Sequence, residues 1–177
     1  MKLITQTLLA LSLLLVGFAA HAQADPYAGK KFRLKTKFRG DGECLESNTT
    51  KYADLHSGAS FMDKVQNVTG EFWMIEKQPN GAYRLKSEFQ GPKKCLEGNS
   101  ASSPTMAGAA FMDDCKDVTG QYWKIVPAAD GYVKLMTMSG DQCLEGNEPT
   151  SKVHSGAAFM NKPANVTGQL WKLEEMK

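Results

Sequence analysis

The chain has 177 residues, 42% of them apolar, and a formal net charge of +2. That is enough for one domain with a core, and the charge balance offers no electrostatic reason to expect nucleic acid as a partner. No basic cluster interleaved with aromatics occurs, and beyond the first 24 residues no segment is apolar enough to enter a membrane.

The N-terminus reads as a cleaved secretory leader. Lys2 supplies a short positive start, Leu8 to Ala20 is apolar but short for a bilayer span, and Ala20-His-Ala22 has the small-x-small pattern of a cleavage site. Residues 1–22 are therefore expected to be a signal peptide, and the protein to be secreted or periplasmic. Removing 22 of 177 residues leaves 155, and losing Lys2 lowers the charge from +2 to +1.

After a lead-in, Phe32-Arg-Leu-Lys-Thr-Lys-Phe38 alternates apolar and polar residues, which predicts a half-buried strand. Gly40-Asp-Gly42 is a turn, and Glu43-Cys-Leu-Glu46 is a second strand. Ala59–Met62 and Phe72–Glu76 are a third and a fourth, and Pro79-Asn-Gly81 ends the unit. The same series then recurs: Tyr83–Phe89, Cys95–Asn99, Ala109–Met112 and Tyr122–Val126. It recurs again from Tyr132–Met138 through Cys143–Asn147 to Trp171–Leu173, with a first hairpin about two residues shorter.

The repetition decides the architecture. Cys44, Cys95 and Cys143 each open a Cys-Leu-Glu, and Trp73, Trp123 and Trp171 follow 28 or 29 residues later. No stretch has a 3.6-residue period, so helix content is expected to be very low. Three four-stranded units make twelve strands, which can close into a barrel capped by hairpins and leave no open sheet edge. A three-bladed propeller is the rival, but propellers usually need four or more blades. The fold class expected is all-β, a β-trefoil. It is a single domain over 26–177, with repeats at about 31–82, 83–131 and 132–177.

Four cysteines in an oxidising compartment invite disulfides. The middle repeat alone has a local pair, because the counterpart of Cys115 is Val65 in the first repeat and Pro163 in the third. A Cys95–Cys115 bond is expected, contributing about 3 kcal/mol. Cys44 and Cys143 are either buried thiols or bonded to each other. The separation of equivalent positions in a threefold fold favours two thiols.

Trp73, Trp123 and Trp171 are expected as structural core, since a large aromatic repeated at a strand position is packing. Phe61, Phe111 and Phe159, Met62, Met112 and Met160, Leu45, Leu96 and Leu144, and Val68, Val118 and Val166 are expected to join them. The repeated polar residues are more open. Glu46, Glu97 and Glu145 follow Cys-Leu, Asn48, Asn99 and Asn147 stand two residues further on, and Asp63, Asp113 and Asn161 follow Phe-Met. Such groups hold turns and backbone amides, or they pair acceptors with donors to grip sugar hydroxyls.

Gln121-Tyr-Trp123 and Gln169-Leu-Trp171, with Glu71-Phe-Trp73 as a variant, resemble the Q-x-W signature of ricin B-type β-trefoil lectins. Cys-Leu-Glu resembles that family's Cys-x-Asp element. The resemblance covers about residues 30–175. It implies a tryptophan wedge near a pseudo-threefold axis, a glutamine that ties down backbone, and non-catalytic binding of a glycan or glycoconjugate. The family's galactose site resembles an Asp after Cys-x, an aromatic platform on the next strand and an Asn before Q-x-W. This chain departs from it in every repeat. Glu replaces Asp, the platform positions are Asp63, Asp113 and Asn161, and Gly70, Gly120 and Gly168 precede the signature. A sugar site would need another aromatic, with Tyr52, Phe72 and Tyr122 as candidates.

Glu97, Asn99 and Asp113 form the leading candidate carbohydrate site, because the disulfide would steady that repeat. Glu46, Asn48 and Asp63 and then Glu145, Asn147 and Asn161 are its counterparts. The competing function is protein binding, as in a protease inhibitor or toxin accessory subunit, through the loops 47–57, 100–107 and 148–155, which differ while the scaffold repeats. No cofactor is implied. His56 and His154 lack the partner set of a metal site, and no catalytic motif is present.

Overall fold

The computed structural model describes residues 24–47, 58–99, 108–146 and 156–177. The leader, Asn48, Tyr52, His56, Asn147, His154 and nearly all of the three variable loops lie outside the described residues.

Each repeat contributes four short strands. They are β1 (Lys30–Thr36), β2 (Glu43–Ser47), β3 (Ser60–Lys64) and β4 (Trp73–Lys77), then β5 (Tyr83–Ser87), β6 (Lys94–Gly98), β7 (Ala110–Asp114) and β8 (Trp123–Pro127). The third repeat supplies β9 (Val133–Thr137), β10 (Cys143–Glu145), β11 (Phe159–Asn161) and β12 (Trp171–Glu175). The pairings β9–β12, β12–β1, β1–β4, β4–β5, β5–β8 and β8–β9 close a six-stranded antiparallel barrel with no free edge. The hairpins β2–β3, β6–β7 and β10–β11 complete a β-trefoil. Among the described residues there is no α-helix, only short 3-10 turns such as Thr69–Glu71, Thr119–Gln121 and Thr167–Gln169. No helix there is long and apolar enough to cross a membrane.

The hairpins lock to one another in a ring. Met112 N donates to Gly58 O, Met160 N to Gly108 O and Met62 N to Gly156 O, each linking one repeat to the next. Beneath this ring sit the fully buried Trp73, Trp123 and Trp171, packed with Leu34, Leu85, Leu135, Leu45, Leu96 and Leu144. Each indole Nε1 donates at 2.9 Å to the carbonyl of Leu45, Leu96 or Leu144. The polar end of each wedge is thereby satisfied inside the core.

Some expectations need correction. Val68, Val118 and Val166 are 40%, 37% and 40% exposed, because each lies just before a 3-10 turn and not on a strand. Phe111 is buried, but Phe61 and Phe159 are only half-buried. β4 and β8 start at Trp73 and Trp123, one residue later than expected, since Phe72 and Tyr122 finish the 3-10 turns, whereas β12 starts at Trp171 as expected. Phe38 and Phe89 lie in turns beyond β1 and β5.

Cys95 and Cys115 form a disulfide joining β6 to the residue after β7, with a sequence separation of 20. Cys44 and Cys143 are free and buried. Burial and then the neighbouring Glu71 charge push the Cys44 thiol up to about 12. Burial also raises that of Cys143.

Candidate functional site

The repeated Val-Thr-Gly lays a 3-10 turn across the end of the second strand of each repeat. Glycine is needed there by close approach. A Cβ on Gly70 would stand 2.7 Å from Ser47 O, one on Gly120 2.6 Å from Gly98 O, and one on Gly168 3.0 Å from Gly146 O. The side-chain stems beneath are those of Glu46, Glu97 and Glu145. So the position where an Asn stands in the lectin pattern is held here by packing against the glutamate strand.

The Q-x-W glutamines are buried and tie three things together. Gln121 Oε1 accepts from Lys116 N at 2.7 Å, and its Nε2 donates to Asp114 O and to the Glu97 carboxylate, each at 2.8 Å. Gln169 does the same with Ala164 N, Lys162 O and the Glu145 carboxylate. In the first repeat Glu71 takes this place. It accepts from Gln66 N and Asn67 N, and its charge is met by Arg33 Nη2 at 3.2 Å, both side chains being buried. Glu71 has no amide to offer Glu46, whose Oε2 is buried without a hydrogen-bond partner among the described residues. Desolvation, then the charges of Asp63 and Glu71, raise the Glu46 carboxyl above its ordinary value.

Two clefts open beside these turns. In the second repeat Glu97, Gly98, Asn99, Thr119 and Gly120 face the turn of the next repeat, with Ser139 and Asp141, around about 270 Å³ of mainly polar space. In the first, Glu46, Ser47, Gln66, Val68, Thr69 and Gly70 surround about 220 Å³, and the remaining wall is Phe89 of the second repeat. Each is of a size for a single small ring and not for a drug-sized ligand.

Glu97 and Asn99, two residues apart on one strand face, thus meet in one cleft. Asp113 does not line it. Its strand register sets it opposite Cys95, while Glu97 lies opposite Phe111. The Asp113 carboxylate is engaged by Lys116 Nζ at 2.9 Å and by Asp114 N, which hold it below the usual range against some desolvation. Asp63 sits in the same register, opposite Cys44, and accepts from Lys64 N and Gln66 Nε2. Only in the third repeat do the two expected groups touch, Asn161 Nδ2 donating to Glu145 at 3.1 Å.

The aromatic candidates are also rearranged. Phe72 has Lys31 and Arg33 over its ring. Tyr122 has Arg84 over its ring, accepts from that guanidinium and donates to Asp117. Instead, Phe89 and Phe38, 49% and 46% exposed, stand at the tips of the first hairpins. Phe89 N donates to Thr69 O and Phe38 N to Thr167 O, both at 3.3 Å, so each hairpin leans onto the turn of another repeat. The sequence signal was present, an aromatic two residues before Gly40 and Gly91 with no counterpart directly before Gly140, but its destination depends on how the barrel closes.

No protein-family model matches the chain, and no curated protein matches it by sequence. Among solved structures it is similar to ThreeFoil, a designed 3-fold symmetric protein. The TM-score is 0.64 at 20% identity, over 82% of this chain and 99% of that one. It is similar to part of a mosquitocidal holotoxin, with TM-score 0.69 and 16% identity, over 84% of this chain and 17% of the toxin. It is also similar to about half of a Polyporus squamosus lectin solved with the epitope Neu5Aca2-6Galb1-4GlcNAc. There the TM-score is 0.65 at 13% identity, over 84% of this chain and 49% of the lectin. At these identities the likeness establishes the β-trefoil fold, one used by lectins and toxins alike.

Proposed function

We propose that the chain is an exported, non-catalytic, lectin-like β-trefoil that binds glycans or glycoconjugates at shallow repeated sites, akin to the Q-x-W ricin B-type lectins. The observation that carries this reading is the cleft in which Glu97 and Asn99 converge with Thr119, Ser139 and Asp141. Carboxylate, amide and hydroxyl groups within one small polar hollow suit the paired donors and acceptors of a sugar ring. Asp113, outside that cleft and paired with Lys116, remains part of the proposed site only if ligand binding releases it from the lysine. Glu46, Asn48 and Asp63 and Glu145, Asn147 and Asn161 form the equivalents. A polar set recurring three times suits multivalent weak binding better than a single reaction centre.

Export is supported by the N-terminal leader pattern at 1–22 and by the Cys95–Cys115 disulfide. The functional unit is then the single domain over 26–177. A glycan array probed with the mature chain tests the proposal. Saturable binding to a defined glycan set, weakened by Glu97→Ala with the fold intact, is the expected result. A blank array together with specific protein capture through the loops 47–57, 100–107 and 148–155 would replace it with the protein-binding reading.

A further inference from the structure

Resting on that carbohydrate-binding reading, we infer that the principal ligand position is the junction of the first and second repeats, where Phe89 stacks on the apolar face of a neutral pyranose and Glu46 accepts its hydroxyls. The lectin-pattern platform is absent from every repeat's own third strand, where Asp63, Asp113 and Asn161 stand. The structure supplies an aromatic from the adjacent repeat instead. Phe89 lines the cleft that holds Glu46, and its backbone bond to Thr69 anchors the hairpin there.

Half of the Phe89 side chain is open to solvent, although Phe is an apolar residue with no polar tip to keep wet. An aromatic face carries partial negative charge and attracts the C–H edge that one side of a pyranose presents. Glu46 lines the same cleft, and among the described residues its carboxylate receives no amide from the turn, where Glu71 stands, unlike Glu97 with Gln121 and Glu145 with Gln169. Val68, exposed in the same wall, adds apolar surface, and Thr69 and Gln66 add polar groups at the rim. The Glu46 carboxylate in the cleft, with the Asp63 and Glu71 charges close enough to bear on it, disfavours an anionic sugar.

The three junctions are unequal. At the second, the shortened hairpin presents Ser139 and Asp141 where Phe89 stands in the first. At the third, Phe38 is placed on Thr167 as Phe89 is on Thr69, but Glu145 already accepts from Gln169 and Asn161. The order of affinity is therefore the Phe89 junction, then the Phe38 junction, then the cleft of Glu97.

Titration with the methyl pyranosides of glucose, galactose, mannose and N-acetylglucosamine, and with sialic acid, tests this on the mature chain. Phe89→Ala is expected to weaken the tightest class of site about tenfold, with near-UV spectra unchanged. Phe89→Trp retains that class, and Glu97→Ala removes only a weaker one. If Glu97→Ala removes the tightest class and Phe89→Ala leaves it intact, the inference falls while the lectin reading stands. If no pyranoside binds the wild-type chain, the lectin reading falls and the inference with it. Sialic acid bound through Phe89 as well as the neutral sugars overturns the stated ligand class.

Discussion

Gln121 donates its side-chain amide to the Glu97 carboxylate at 2.8 Å. The contact is repeated by Gln169 and Glu145 but broken in the first repeat, where Glu71 replaces the amide. One side-chain atom thus separates a saturated glutamate from one with a buried unpartnered oxygen. Removing the tie in the second repeat, by Gln121→Leu, also orphans Lys116 N and Asp114 O. At about 1 kcal/mol per lost bond, the expected destabilisation is about 3 kcal/mol in urea unfolding.

The first repeat offers the complementary test. Arg33→Met leaves the buried Glu71 carboxylate uncompensated, which costs about 3–5 kcal/mol. Adding Glu71→Gln to that variant recreates the arrangement of the other two repeats and is expected to recover most of the loss. A double-mutant cycle reads this directly, and additive effects would show that the pair at 3.2 Å is not coupled.

Glu46 gives a pH signature. Its folded-state pKa is raised, so the folded chain holds this proton where the unfolded chain has released it. Stability from this group therefore falls as pH rises from the ordinary carboxylate value through the raised one, and returns on acidification. Thermal melts of wild type and Glu46→Gln should converge at pH below the ordinary carboxylate value and separate as pH rises above it, with the variant higher. A difference independent of pH would remove Glu46 as the cause.

The thiols are expected to divide cleanly. Thiol reagent at neutral pH should find none accessible in the native chain, since Cys44 and Cys143 are buried and their pKa values raised. Denaturation without reductant should release two. Cys95→Ala with Cys115→Ala is expected to cost about 3 kcal/mol, read as a lowered urea midpoint.

Gly120→Ala forces a methyl to 2.6 Å from Gly98 O and 3.2 Å from the Glu97 stem. The expected cost is about 1–3 kcal/mol, with ligand binding at that cleft altered as the turn lifts. An unchanged midpoint would mean that the turn moves freely.

The fold was legible because one spacing repeats. Cys-Leu-Glu and the tryptophans placed twelve strands and the core wedges before any contact was known. The repeated Glu and the Asn two residues on likewise marked Glu97 and Asn99 as a polar pair, and the two meet in one cleft. What stayed hidden depended on side-chain partners and closure. Asp113 stands in the same register to Glu97 as Asn161 does to Glu145, but Lys116 engages its carboxylate, while Asn161 donates to Glu145. Val68, Val118 and Val166 have the composition of core but stand outside it, because a 3-10 turn interrupts the strand period. Phe89 reaches the Glu46 cleft only because the barrel brings β5 beside β4, a relation between repeats that no single repeat encodes.

Backbone amide shift mapping on the isotope-labelled chain, titrated with neutral pyranosides, tests the central claim most directly. Saturable shifts clustered at Glu46, Thr69, Gly70 and Phe89 are the expected result, with a weaker set at Phe38 and Thr167. The absence of shifts with every pyranoside, or shifts confined to the groove lined by Met74, Lys86 and Pro92, would contradict it.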